Sequence, residues 1–307
     1  MTAKLDSIKV RGRLIADEPM ARHCSWRTGG NAERFFEPAD IDDLVEYLGQ
    51  IESEETLTWI GLGSNLLVRD GGVAGTVIST TRTMNALSWL DGARLYVEAG
   101  TPCAKVAKEA FKRSLGGASF LGGIPGTIGG ALAMNAGAFD REIWMLVESV
   151  ELLDREGNRQ HHDHAEFSTG YRSVSLPPNH WFLSAVLQLE TNAARDEDDV
   201  RALLGLRNAS QPTGQASCGS VFKNPPGDFA GRLIEAAGLK GMRCGGCHVS
   251  GKHANFIIND ESASAADIEQ LIGEVQSTIA EKFGIDLETE VRIVGQRIAR
   301  YESGGAR

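Results

Sequence analysis

Polar and apolar positions along this 307-residue chain fall into short runs with two different periods. Helical spacing marks Asp40-Ile-Asp-Asp-Leu-Val-Glu-Tyr-Leu48, with Asp40 placed to cap. It marks Thr101-Pro-Cys-Ala-Lys-Val-Ala-Lys-Glu-Ala-Phe-Lys-Arg-Ser-Leu115 more strongly. There Thr101 is expected to cap, Pro102 to take the first helical position and Gly116 to end the helix. Cys103, Val106, Ala107, Ala110 and Phe111 form its apolar stripe, which sends Cys103 to the core. Strand-like runs occur at 76–79, 95–98, 147–153 and 182–189, and Asp154-Arg-Glu-Gly157 predicts a hairpin turn after the third.

The acidic patch Asp196-Glu-Asp-Asp199 reads as the solvated first turn of a helix through Leu206 and marks a boundary. Beyond it a helix over 229–237 is closed by Gly238. A longer one carries Ile268, Leu271, Ile272, Val275, Ile279 and Phe283 on one face and stops at Gly284. A strand-like run, 254–258, lies between them. The pattern predicts an α+β chain divided into an extension (1–20), a first domain (21–195), a smaller α/β domain (196–300) and a tail (301–307).

Composition adds bounds. With 42% hydrophobic and 23% charged residues the chain is that of a globular protein of one to three domains with a substantial core. A formal net charge of -10 argues against nucleic acid or an anionic membrane as partner, since both reward basic surface. An anionic nucleotide needs only a local positive site. No apolar run approaches the roughly 20 residues of a membrane span, and Met1-Thr-Ala-Lys-Leu-Asp-Ser-Ile-Lys9 lacks the apolar segment of a signal peptide. The expectation is a cytoplasmic monomer without membrane insertion.

Five cysteines, an odd number, favour free thiols. Cys244-Gly-Gly-Cys-His248 matches the c-type haem attachment pattern, but that attachment requires export. As a zinc half-site it lacks a second pair, since Cys103 and Cys218 stand alone. Two glycines between cysteines suit a turn. The tract His161-His-Asp-His164 comes after the hairpin turn and is expected to be solvated loop. No metal is expected at either place.

Candidate chemistry lies in two glycine-rich stretches. Gly122-Gly-Ile-Pro-Gly-Thr-Ile-Gly-Gly-Ala-Leu-Ala-Met-Asn-Ala-Gly137 holds six glycines, with Pro125 stiffening its entry. Gly61-Leu-Gly-Ser-Asn-Leu-Leu-Val-Arg-Asp70 comes directly after the apolar run 57–60. Glycine lets the backbone approach a ligand, and rows of N–H groups in such turns cradle anions. Each loop alone also reads as a tight turn. Neither is a Rossmann fingerprint: the first lacks its glycine spacing, and in the second Asn65 and Leu66 fill the positions of the third glycine. A Walker A motif is absent as well. Two such loops about sixty residues apart suggest a long two-phosphate ligand such as FAD, gripped from two sides.

Six segments occur in order: Trp26-Arg-Thr-Gly-Gly-Asn-Ala32, Gly61-Leu-Gly-Ser-Asn-Leu66, Gly123-Ile-Pro-Gly-Thr-Ile-Gly-Gly130, Gly170-Tyr-Arg172, Gly219-Ser-Val-Phe-Lys-Asn-Pro225 and Leu287-Glu-Thr-Glu-Val-Arg292. In order and spacing, from about residue 20 to residue 296, the chain resembles the UDP-N-acetylenolpyruvoylglucosamine reductases, flavoenzymes of peptidoglycan precursor synthesis. The resemblance implies an FAD domain of the vanillyl-alcohol-oxidase (PCMH) type with a substrate-binding domain after it. It implies non-covalent FAD, NADPH as co-substrate, and UDP-GlcNAc-enolpyruvate reduced to UDP-N-acetylmuramate. To the cofactor it assigns Gly61, Gly63, Ser64, Asn65 and Leu66 from one loop, and Gly123, Ile124, Gly126, Thr127, Gly129, Gly130 and Asn135 from the other.

For the reaction, the resemblance implies hydride transfer by way of flavin N5 to the vinyl carbon distal to the carboxylate, leaving an enolate-like dianion. Ser220 matches the proton donor, with Lys223 or backbone N–H groups to steady its alkoxide. Arg172 matches the carboxylate-binding arginine, and Glu290 the catalytic glutamate, expected to have a raised pKa. Strand periodicity would put Glu288, Glu290 and Arg292 on one face, so the resemblance alone selects Glu290. Asn224, His253 and Arg292 match substrate-contacting positions. Tyr171, next to Arg172, is a further substrate-binding candidate but does not stand for the tyrosine that an inserted element brings over the substrate in other members. Departures are Ser210-Gln-Pro212, where the family commonly has Lys before Gln-Pro and where Arg207 is the candidate replacement, and Val174 in place of a frequent serine. The 48 positions from Arg172 to Ser220 resemble the compact subtype. Another FAD oxidoreductase of the same fold should lack the last two motifs, and a non-catalytic nucleotide-binding regulator would need no proton donor.

Overall fold

The computed structural model describes residues 8–191 and 197–298, with only the backbone described at 197–201 and 206. Residues 1–7, Asp196 of the acidic patch and the tail 301–307 lie outside the described residues. The chain divides into two compact units. One comprises Met1–Ala16, Arg34–Ser64 and Thr76–Thr213, the other Asp17–Glu33, Asn65–Gly75 and Gly214–Arg307.

In the first unit a five-stranded antiparallel sheet has the order Arg159–Asp163, Val147–Asp154, His180–Gln188, Arg94–Glu98, Leu87–Trp89. Alternation in Arg94–Glu98 buries Leu95 and Val97 and leaves Arg94, Tyr96 and Glu98 half-exposed, as the period of two requires. The buried side packs with Val106, Phe120, Ile128, Leu132 and Trp144 into one core. A second core gathers Phe36, Leu44, Tyr47, Ile78, Met84, Leu153 and Leu183 around the helix Ile41–Leu48. Asp40 caps that helix by accepting the Asp43 N–H at 2.9 Å, as its sequence predicts.

The hairpin turn also forms as expected: Asp154 Oδ1 accepts the Asn158 N–H at 2.8 Å, and Gly157 takes φ 86°. The histidine tract beyond the turn departs from expectation. His161, His162 and Asp163 are an edge strand paired with Val147–Asp154, and His164 opens a 3-10 turn, so the tract is not loop. The helix Cys103–Lys112 differs at both ends. Pro102, extended at φ -61° and ψ 135°, precedes it, while Thr101 donates its hydroxyl to the Ala86 carbonyl at 3.1 Å instead of capping. It ends before Gly116 because Ser114 adopts φ 55°. Cys103, Val106, Ala107 and Ala110 are buried, whereas Phe111 is half-buried.

The second unit holds an antiparallel sheet of Arg243–Cys244, Cys247–Val249 and Ile257–Asn259, with the helices Ala230–Ala236 and Ala265–Phe283. Ile268, Leu271, Ile272, Val275 and Ile279 are buried in its core, but Phe283, the last helical residue before Gly284 at φ 66°, is 39% exposed. The long helix is capped twice. Ser264 and Asp267 form a capping box, and the Asp70 carboxylate accepts the N–H groups of Ala265 and Ala266, both at 2.9 Å. The strand near 254–258 starts only at Ile257, because Phe256 N–H closes a turn onto the His253 carbonyl. Residues 287–291 are not a strand either. Thr289 makes one bridge to Phe222, and pairing resumes where Arg292–Val294 runs parallel to Leu66–Val68. The premise that put Glu288, Glu290 and Arg292 on one strand face therefore fails.

Candidate active site

Within the first unit the two glycine loops lie against each other. A Cβ on Gly61 would run into Thr127 Oγ1, so only glycine allows the approach. Gly129 is held likewise, 2.8 Å from the Ala99 Cβ for an added Cβ, and Gly123 equally close to the Phe139 ring. These glycines serve the protein's own packing. Gly126 and Gly130 differ: the nearest atoms to an added Cβ are 3.7 Å away at Gly126 (Ile124 Cγ2 and Ser64 Oγ) and 3.6 Å at Gly130 (Thr127 Oγ1). There the absence of a side chain serves no internal contact, which fits close approach by a phosphate group.

The N–H inventory narrows the cradle. Gly126, Ile128 and Gly129 donate internally, to the carbonyls of Ile124, Thr101 and Ala99, and Gly130 points to Thr127 Oγ1 at 3.4 Å. Thr127 is the buried N-cap of the helix Ile128–Ala133. On the other loop, Gly63 takes φ 62° and Ser64 is half-buried. The remaining pair, Asn65 and Leu66, is counted in the second unit. Asn65 Nδ2 donates to the Glu290 carbonyl at 3.0 Å, and the Asn65 carbonyl accepts the Arg292 N–H at 3.1 Å. Leu66 is buried and its carbonyl accepts the Cys218 thiol.

Arg172 is the second residue of a two-residue turn between Gly170 and Ser173, and takes φ 53°, a conformation non-glycine residues rarely adopt. Its Nη2 donates to the Gly137 carbonyl at 3.2 Å, and its guanidinium lies 5.1 Å over the Tyr171 ring. Asn135, assigned by resemblance to the cofactor, is buried with its amide engaged internally. Nδ2 donates to Glu142 Oε2 at 2.7 Å and to the Gly170 carbonyl at 3.0 Å.

Ser220 sits in the second unit after Gly219, whose φ of 69° turns the chain. Its neighbour Val221 donates to the Asn255 carbonyl at 2.9 Å and accepts the Glu290 N–H at 2.8 Å. The buried Asn255 side chain brackets Phe222, accepting its N–H at 3.0 Å and donating to its carbonyl at 2.8 Å. Ser220 and Glu290 thus stand on two segments bonded directly to each other. Glu288 is placed differently: its side chain is 72% exposed and its carboxylate pairs with Lys223 Nζ at 2.6 Å. Burial pushes the Cys218 thiol up to about 12, so the sulfur beside this turn stays uncharged near neutrality.

Asn224 Oδ1 accepts the Ala230 N–H at 3.1 Å, fixing the start of the helix Ala230–Ala236. His253 Nδ1 accepts the Asn255 N–H at 3.2 Å, which puts the proton of the neutral ring on Nε2, and burial lowers its pKa. Arg292 is exposed, opposite Leu66 in register. Arg207, in the first unit, directs Nε to Gln211 Oε1 at 3.1 Å, and Val174 packs on the first core. Cys244 and Cys247 face each other across a hairpin turned by Gly245 and Gly246, both as free thiols. Among the described residues, no three His, Cys, Asp or Glu side chains gather as a metal site.

The family model for the UDP-N-acetylenolpyruvoylglucosamine reductase C-terminal domain matches residues 211–294, and that of an FAD binding domain matches residues 32–162. The UDP-N-acetylenolpyruvoylglucosamine reductase of Methylococcus capsulatus is 53% identical over 287 residues, 93% of this chain and 94% of its own length. The chain belongs to the UDP-N-acetylenolpyruvoylglucosamine reductase family. A Coxiella burnetii reductase of that name is 46% identical over 308 residues, covering 94% of this chain and 98% of its own. The crystal structure of the Thermus caldophilus reductase matches with a TM-score of 0.78 at 31% identity, covering 93% of this chain and 99% of that one. The chain is accordingly an FAD-dependent oxidoreductase with an FAD-binding domain. No helix among the described residues is long and apolar enough to cross a membrane.

Sequence reading missed the residues that hold the family's segments in place. Asn255 carries no motif or periodic signal in the sequence. In the first motif, Trp26 Nε1 donates to the Ile257 carbonyl at 2.8 Å and Thr28 Oγ1 to the Ala263 carbonyl at 2.7 Å. Its glycines admit close backbone: a Cβ on Gly29 would meet Val68, and one on Gly30 would meet Asp70 and Gly72.

Proposed function

We propose that this member of the family reduces UDP-GlcNAc-enolpyruvate to UDP-N-acetylmuramate with NADPH, as a cytoplasmic step in peptidoglycan precursor synthesis. The observation that supports this reading most is the bracing of the Ser220 turn: Asn255 and Glu290 together bond the next two residues, Val221 and Phe222. A turn serine without chemistry has no need of bonds from two other segments on its next two residues, one of them from the buried Asn255.

When bound, FAD supplies the hydride chemistry, from NADPH to the vinyl terminus of the substrate. The added hydride leaves an electron pair on the carbon bearing the carboxylate, delocalised as a dianionic enolate. Arg172 binds that carboxylate through its planar fork and meets the developing charge. Ser220 gives its hydroxyl proton to the carbon, completing the addition of two hydrogens across the double bond. An aliphatic hydroxyl is a weak acid, so this transfer requires a strongly basic carbanion and donors for the alkoxide. Lys223 shares its charge with Glu288 at 2.6 Å, so backbone donors are the larger help.

Glu290, neutral or acting as a hydrogen-bond partner, stabilises the enolate where a bare carboxylate would repel it. Tyr171, Asn224, His253 and Arg292 contact the nucleotide and sugar. On this reading residues 21–195 form the FAD domain and 196–300 the substrate domain of a protein that acts as a monomer.

The test is anaerobic NADPH oxidation by the purified, FAD-loaded chain, with and without UDP-GlcNAc-enolpyruvate. The expected result is one NADPH consumed per substrate, with a product two hydrogens heavier. NADPH oxidation indifferent to the substrate would contradict the proposal.

A further inference from the structure

Asn135 lies near the end of the glycine-rich stretch, and its side-chain amide is engaged by the protein itself. Its buried Nδ2 donates both to Glu142 Oε2 at 2.7 Å and to the Gly170 carbonyl at 3.0 Å, and Trp144 N–H approaches its Oδ1 at 3.4 Å. An amide nitrogen has two hydrogens, and both have acceptors here. Two residues on, the Gly137 carbonyl accepts Arg172 Nη2 at 3.2 Å. The Arg172 turn is therefore pinned on its backbone by Asn135 and on its side chain by Gly137.

Both ends of this latch carry backbone strain. Asn135 adopts φ 44° and Arg172 φ 53°. Asn tolerates the left-handed region through its short polar side chain, but Arg there costs energy and persists only where its surroundings hold it. The Gly137 end is equally constrained. It pairs with Glu142 in a tight hairpin where a Cβ on Gly137 would strike the Arg141 carbonyl. Glu142, oriented by this hairpin, in turn orients the Asn135 amide.

We propose that Asn135 is a positioning residue for the reaction: its amide holds the Gly170-Tyr171-Arg172 turn so that the Arg172 guanidinium is aimed at the substrate carboxylate. This rests on the reading of Arg172 as the carboxylate-binding group. Asn135 acts through Arg172 and not on the flavin, in contrast to its assignment by resemblance. A displaced positioning group of this kind costs up to about 10²-fold in rate.

The test uses the full-length, FAD-loaded chain carrying Asn135→Gly, which keeps the left-handed backbone and removes the whole side chain, or Asn135→Asp, which keeps the shape but replaces the donor with a second carboxylate beside Glu142. Flavin content, melting temperature, the rate of flavin reduction by NADPH, substrate dissociation constant and the rate of reduced enzyme with substrate are measured for each. The expected result is unchanged flavin content and NADPH step, with the substrate step slowed tenfold to about 10²-fold. Glu142→Ala, which leaves the Gly170 bond in place, should show a smaller loss of the same kind.

The deciding readout is the cycle with Arg172→Ala. In that background Asn135→Gly should slow the substrate step little further, because the group it aims is already gone. If Arg172→Ala slows the substrate step but Asn135→Gly multiplies that loss in full, or expels flavin, the positioning role is overturned and the Arg172 reading stands. If Arg172→Ala itself leaves the substrate step intact, the reading beneath the proposal fails.

Discussion

The backbone N–H of Glu290 donates to the carbonyl of Val221 at 2.8 Å, joining the glutamate's segment to the residue directly after Ser220. Glu288, two positions earlier, instead spends its exposed carboxylate on Lys223. The two acids should therefore separate in kinetics. Glu290→Gln is expected to slow reduced enzyme with substrate by about 10²–10³-fold. Glu288→Gln loses a surface ion pair and should stay within about threefold of wild type. Single-turnover rates of both variants check this, and a reversed order would return Glu288 to the mechanism.

A substitution at Gly126 should separate ligand binding from folding. An added Cβ there lies 3.7 Å from its nearest protein neighbours, so the chain itself has room for it. Gly126→Val is expected to fold with a near-normal melting temperature and to lose FAD. Gly61→Ala, which would drive its Cβ into Thr127, should destabilise the protein with or without FAD. Flavin absorbance per chain and thermal melts of apo and loaded forms distinguish the two. Full flavin occupancy at unchanged affinity in Gly126→Val would show that loop to be a turn only.

Arg172 and Glu290 are proposed to serve one intermediate, so their losses should not multiply. Arg172→Ala alone should cost about 10²–10³-fold in the substrate step. The double variant with Glu290→Gln should lose less than the product of the single losses. Transient kinetics on the four proteins gives the coupling, and fully multiplicative losses would divide the pair.

Acid stability of the second unit should depend on Glu269. Two hydrogen bonds from Arg69, at 2.9 and 3.0 Å, and a third from Arg297 hold its pKa down to about 2 against the opposing effect of burial. A depressed carboxylate contributes stability that is present above its unfolded pKa and lost as pH falls through the folded value. That contribution, on the order of 3 kcal/mol, should disappear between about pH 4.5 and pH 2. Denaturant unfolding of wild type and Glu269→Gln should differ most above about pH 5 and converge near pH 2. A gap independent of pH would refute the ion-pair origin.

Local signals in the sequence were read well where a cap or a period acts locally. Asp40 and Gly284 bound their helices as expected, and Asp154 to Gly157 make the hairpin. Where the chain departs from that reading, a distant partner decides. Thr101 leaves its capping place for the Ala86 carbonyl, and residues 287–291 track the Ser220 segment instead of extending a strand. Asp70 caps a helix 195 residues away and Asn255 brackets a backbone 33 residues away. Side-chain bonds to remote backbone leave no periodic trace. The six ordered motifs made the family legible, but a motif does not say whether a residue touches a ligand or holds its neighbour. Asn135 shows the difference, since its amide engages Glu142 and Gly170.

The central claim is that Ser220 delivers the proton after hydride has reached the substrate. Its most direct test is Ser220→Ala in double-mixing stopped flow, with NADPH first and UDP-GlcNAc-enolpyruvate second. The claim predicts full flavin content and a wild-type rate of reduction by NADPH, then a substrate step slowed by about 10²–10⁴-fold. Substrate reduction at the wild-type rate, or an equal loss in both steps, would contradict it.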